Sequence, residues 1–167
     1  DVEFDLFVKE VTREMTGKAG QKCTAIRRII VPENMVDAVG TRLRERLAKV
    51  SVGDPSVEGV RMGALASRDQ RRDVAERVEL LARGNEVLFG ERDGFKLVGD
   101  GVADGAFFAP TLLLCRDGMG NDAVHDVEAF GPVSTIISHN GIDEALALAA
   151  RGKGSLVSTL VTKEPAI

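Results

Sequence analysis

The chain has no tryptophan and no tyrosine, and its 7 phenylalanines are its only aromatic residues apart from 2 histidines. Stacking on bases or sugars therefore has little to build on. Positive charge is also scarce: 22 Lys and Arg stand against 26 Asp and Glu, a net charge of -4. That balance excludes a general nucleic-acid binder, which carries a basic excess. Two cysteines, Cys23 and Cys115, are too few for a disulfide framework and predict a reduced, cytoplasmic setting. The two histidines, His125 and His139, lie apart and without paired ligand spacing, so no metal site is predicted. No apolar run approaches the ~20 residues that cross a bilayer, and no charged-then-apolar signal segment opens the chain.

What is present is an ordinary globular balance, 44% hydrophobic and 29% charged over 167 residues, enough for one domain with a sizeable core. Phe4, Phe7, Val8, Val11 and Met15 recur at helical spacing, with Gly17 as a stop. Residues 25–31 read as a strand ended by Pro32. Residues 34–50 read as a helix with Met35, Val36, Val39, Leu43 and Leu47 inward and the arginine-rich stretch 42–46 facing water. Ser67 or Asp69 caps a helix that runs to Arg83 and stops at Gly84. Residues 86–89 are a short strand, and the glycine-rich stretch 90–105 is a hairpin or irregular excursion. Residues 107–114 form an apolar strand in which Pro110 implies an edge or a bulge. A loop at 121–132, a strand at 133–138, a helix at 142–151 and a final buried strand at 156–161 complete the chain. Alternating strands and helices predict a three-layer α/β/α fold with a mostly parallel sheet. In such sheets, chemistry gathers in loops beyond the strand ends.

Two loops qualify. In the first, residues 19–25 place Cys23 in a polar turn between a helix and a strand. A thiol that only fills a core lies in an apolar run, whereas a reactive thiol needs partial exposure. In the second, Glu128, Ala129, Phe130, Gly131 and Pro132 end a polar segment just before a strand. Cys115 follows three leucines and reads as core, and His125 reads as a solvated loop histidine unpaired with Cys23.

Taken together, Gly20-Gln21-Lys22-Cys23-Thr24-Ala25 and Glu128-Ala129-Phe130-Gly131-Pro132-Val133 resemble the aldehyde dehydrogenase superfamily. The turn Gly53-Asp54-Pro55 fits the same pattern. Residues 11–16 and 27–30 resemble most the aldehyde dehydrogenase domains of the bifunctional proteins of phenylacetate degradation. The resemblance implies that the whole chain, 1–167, is the cysteine-bearing catalytic domain. It implies an NAD or NADP cofactor and an aldehyde substrate, with a CoA-linked semialdehyde among the candidates. Cys23 would be the nucleophile and its backbone N–H an oxyanion donor. Glu128 would accept the cofactor's ribose hydroxyls, and Phe130 would pack beside the nicotinamide.

Several family parts have no counterpart here. Glu3, Glu10 and Glu14 do not match the motif of the general base, which the family places further upstream than this chain reaches. The Rossmann cofactor domain and the C-terminal oligomerising segment are also missing, so both ends read as cuts in a longer protein that would be homo-oligomeric. The family's asparagine near the last strand has no clear match around Ala150-Arg151-Gly152. The isolated chain is accordingly expected to be inactive. Two other readings remain: an acylating dehydrogenase in which coenzyme A resolves the thioester, and a non-catalytic α/β interaction module.

Overall fold

The computed structural model describes residues 2–90 and 95–163. The first helix, α1 (Val2–Thr16), buries Val8, Val11 and Met15. The chain then turns sharply, because Lys18, Ala19 and Gly20 all adopt left-handed backbone angles. Strand β1 (Arg28–Pro32) follows, then α2 (Val36–Leu47), whose Val36, Val39, Leu43 and Leu47 face inward as the spacing predicts. Met35 stays outside, in the single 3-10 turn that precedes α2. Helix α3 (Arg68–Ala82) begins at Ser67, whose hydroxyl accepts the Gln70 N–H at 3.0 Å. Strands β3 (Glu86–Phe89), β5 (Thr111–Cys115) and β6 (Val133–His139) complete the main sheet. Between β5 and β6 the predicted loop contains one helical turn, α4 (Ala123–Asp126), and α5 (Ile142–Ala150) follows β6.

The sheet order is β1-β6-β5-β3, with β1, β6 and β5 parallel and β3 antiparallel at the edge. Residues on β5 and β6 alternate between two cores. Leu112, Leu114 and Ile136 join the side chains of α1 and α2. Leu113, Cys115, Val133 and Ile137 join those of α3, α4 and α5. Helices therefore cover both faces, and β5 and β6, covered twice, are buried throughout except at His139, the last residue of β6.

Three expectations are corrected. Pro110 marks neither an edge nor a bulge in its own strand: β5 lies centrally, and the proline stands just ahead of its first paired residue. The irregularity falls instead on β3, between Val87 and Phe89. The stretch 90–105 holds no hairpin among its described residues; β4 (Leu97–Val98) pairs in parallel with β2 (Val52–Gly53), and residues 91–94 of that stretch lie outside the described residues. Residues 156–161 are not a buried strand. They join neither sheet among the described residues, and Leu156, Val157, Leu160 and Val161 are exposed, Leu156 to 69%. Strand-forming residues become a strand only beside a partner, and composition records the propensity without the partner.

Candidate active site

Both loops singled out in the sequence feed neighbouring parallel strands. The cysteine turn enters β1 and the Glu128 turn enters β6. Because β1 and β6 pair in parallel, with Arg28 opposite Thr135, the two loops emerge side by side at the same end of the sheet. That end is the amino end of the strands, opposite to the carboxyl-end rule for open α/β sheets. Two further bonds continue the pairing toward the loops: Thr135 N–H donates to the Arg27 carbonyl at 2.8 Å, and the Ser134 hydroxyl donates to the Ile26 carbonyl at 2.8 Å.

Cys23 is exposed in a tight turn closed by the Ala25 N–H on the Lys22 carbonyl at 3.1 Å. Among the described residues no acceptor takes the Cys23 N–H. The turn is tied down on both flanks. Lys22 Nζ lies 2.7 Å from Glu14 Oε2 on α1. Gln21 accepts the Ala66 N–H through Oε1 at 2.9 Å and donates through Nε2 to the Lys18 carbonyl at 3.2 Å.

The second turn lies directly against the first. A methyl group at Gly20 would sit 2.1 Å from the Gly131 carbonyl oxygen, so the two backbones touch there. Gly131 in turn is backed by Val74 of α3, whose Cγ2 would lie 2.8 Å from a methyl group at 131. Gln70 of the same helix donates to the Phe130 carbonyl at 2.9 Å. Phe130 keeps 36% of its surface exposed, and the Glu128 side chain 60%.

Arg27 spans both turns. Its Nη2 donates to the Gly20 carbonyl at 2.9 Å and the Lys22 carbonyl at 3.3 Å, and its Nη1 to the Gly131 carbonyl at 3.4 Å. Its Nε donates to Glu128 Oε1 at 3.4 Å, and its guanidinium carbon lies 5.6 Å from the centre of the Phe130 ring. Burial pulls the Arg27 pKa below its usual value, and Glu128 opposes the shift. Sequence reasoning passed over this residue. The available signal was a pair of arginines, Arg27 and Arg28, at the mouth of an otherwise apolar strand.

The remaining ionisable groups are occupied elsewhere. His125 is not a solvated loop histidine. Its Nδ1 lies 3.0 Å from Arg28 Nη1 and its Nε2 is 2.8 Å from the Gly118 carbonyl. That geometry suits a neutral ring with the proton on Nε2, and burial lowers its pKa. Arg28 also caps α5, donating to the Leu148 and Ala149 carbonyls at 2.7 and 3.2 Å. Glu10 pairs with Arg13, and Glu3 with Lys163. Cys115 is 1% exposed within the core, and burial raises its pKa. At the Gly53-Asp54-Pro55 turn, Asp54 Oδ1 accepts the Ser56 N–H at 2.9 Å.

The sequence profile of the aldehyde dehydrogenase family matches residues 1–166. The chain belongs to that family. A 3,4-dehydroadipyl-CoA semialdehyde dehydrogenase from Aromatoleum evansii is 45% identical over 164 residues, which cover 98% of this chain and 32% of that protein. The crystal structure of betaine aldehyde dehydrogenase from Staphylococcus aureus in complex with NAD+ superposes with a TM-score of 0.78 at 28% identity, over 87% of this chain and 28% of that one. A cysteine-to-alanine mutant of aldehyde dehydrogenase C from Pseudomonas syringae, complexed with NAD+ and octanal, superposes with a TM-score of 0.77 at 26% identity, over 89% and 30%. This aldehyde dehydrogenase chain thus spans about a third of the length of its relatives, and its three-layer fold is the one found in them.

Proposed function

We propose that this chain is the cysteine-bearing catalytic domain of an NAD(P)-dependent aldehyde dehydrogenase, with Cys23 as nucleophile. The observation that carries the reading is the interlock of the two turns: the turn with the exposed thiol lies against the turn with an exposed carboxylate and an exposed ring, Gly20 and Gly131 being in contact between them. The Cys23 thiolate attacks the aldehyde carbonyl carbon, forming a C–S bond and leaving an alkoxide. The Cys23 N–H, without an acceptor among the described residues, donates to that oxyanion. When the carbonyl re-forms, hydride leaves and Cys23 carries a thioester, which water then cleaves to the acid. A bound nicotinamide supplies the hydride acceptor.

The residues present fit that cofactor. Glu128 pairs with Arg27 through Oε1, and with 60% of its side chain exposed it has acceptor capacity left for two vicinal hydroxyls. Phe130 presents an apolar face beside it. The base that activates water, and the Rossmann domain, belong to sequence outside these residues, so the isolated chain does not turn over. The 45% identity to a CoA-linked semialdehyde dehydrogenase supports a CoA-linked semialdehyde of phenylacetate-type degradation as the substrate. The same reading places a homo-oligomeric full-length enzyme in the cytoplasm.

The test is aldehyde-dependent NADH or NADPH formation by the full-length protein. Cys23→Ala is expected to lower kcat by at least a thousandfold and leave cofactor binding intact. Activity retained in Cys23→Ala would sink the assignment.

A further inference from the structure

Arg27 has more hydrogen-bond partners than any other side chain around the two turns, and all three of its guanidinium nitrogens are used. Nη2 serves the cysteine turn, Nη1 serves Gly131, and Nε serves Glu128. Only the planar five-donor fork of arginine reaches partners in so many directions; a lysine ammonium concentrates its donors at one point. The side chain is mostly covered, at 19% exposure, while its partner Glu128 points largely into solvent. A residue that served only to pin two loops would need the three carbonyls and nothing more. Here the remaining nitrogen reaches one oxygen of the exposed carboxylate, and the guanidinium lies over the ring next to it.

We propose that Arg27 is a positioning residue for the cofactor side of the site, holding Glu128 in the orientation that receives the ribose hydroxyls and fixing that turn at a set distance from Cys23. The inference rests on the function proposed above. Arg27 touches no reacting atom. It holds Oε1 of Glu128, so the carboxylate meets the cofactor already aimed. Without it the exposed glutamate samples several rotamers, and binding must restrict them.

The experiment uses the full-length enzyme and reads the cofactor directly. The dissociation constant of the reduced dinucleotide is measured by its own fluorescence, alongside KM for cofactor and for aldehyde. Arg27→Lys is expected to weaken dinucleotide binding and raise cofactor KM about tenfold, with aldehyde KM within twofold of wild type. In a Glu128→Ala background the same change is expected to cost no more than twofold, because the acceptor that Arg27 orients is gone. Equal losses in both backgrounds, or matched changes in both KM values, would overturn the proposal and leave Arg27 as a loop pin. Arg27→Gln, which keeps a donor but not the charge, carries the same test if the lysine variant does not fold. If neither variant folds, Arg27 is a structural residue and the proposal falls. Loss of the wider functional reading shows separately, as activity that survives Cys23→Ala.

Discussion

Gly20 stands where the cysteine turn and the Glu128 turn touch, and its backbone has a φ of +69°. Both facts exclude a side chain there. Left-handed backbone costs a non-glycine residue about 1–2 kcal/mol, and a methyl group would also meet the Gly131 oxygen at 2.1 Å, against backbone rather than a movable side-chain tip. Gly20→Ala is therefore expected to destabilise the protein by at least about 2 kcal/mol, read as a lower urea midpoint. In the full-length enzyme it should also slow Cys23 alkylation or turnover more than the stability loss explains, since the loops must part. In the sequence Cys23 stood out as a thiol in a polar turn, while Glu128 and Phe130 became candidates only through the resemblance carried by residues 128–133. The sequence did not expose Arg27, whose significance depends on three carbonyls and a carboxylate contributed by two segments about a hundred residues apart.

Among the elements, α3 braces the Glu128 turn. Its Val74 backs Gly131 and its Gln70 holds the Phe130 carbonyl. The start of α3 depends on the Ser67 cap, which was readable from sequence and is present. Ser67→Ala is expected to cost about 1 kcal/mol, measured by chemical denaturation, with the Gln70 amide losing hydrogen-exchange protection first. Sequence placed α1 and α2 by their helical period and α3 by its cap, and β6 lies within a residue of its expected bounds, whereas β5 begins at Thr111 and not at Phe107. Residues 156–161 show the opposite case. Their apolar, β-branched character was plain, but whether such a segment pairs depends on a neighbouring strand, which no local pattern encodes.

For the molecule as a whole, the closure of the sheet against α4 and α5 passes through one histidine. His125 joins Arg28 of β1 to the loop carbonyl of Gly118, while Arg28 caps α5 and Arg151 reaches Gly118 and Met119. Its pKa is held below the ordinary 6.5 by burial first; the Gly118 hydrogen bond opposes this, and the positive charges of Arg151 and Arg28 add to the lowering. The unfolded chain thus binds the proton more readily than the folded one. His125 therefore contributes its full stability above about pH 6.5, and that contribution is lost as pH falls through the lower folded value. Thermal unfolding midpoints should drop between pH 7 and pH 5, and His125→Gln should flatten that part of the profile. An unchanged slope in the variant would remove His125 from the account.

The sequence by itself determined the α/β class and singled out two candidate loops, because periodicity and turn chemistry are local properties of the chain; that the core divides into two, one on each face of the sheet, came from the structure. Only the tertiary structure decided that those loops meet. It did so by pairing β1 with β6 in parallel, which brings their amino ends, and hence Cys23 and Glu128, to the same edge. It also decided that an arginine at a strand mouth becomes the bridge between them, since hydrogen bonds to backbone carbonyls carry no signature in the residues that supply them.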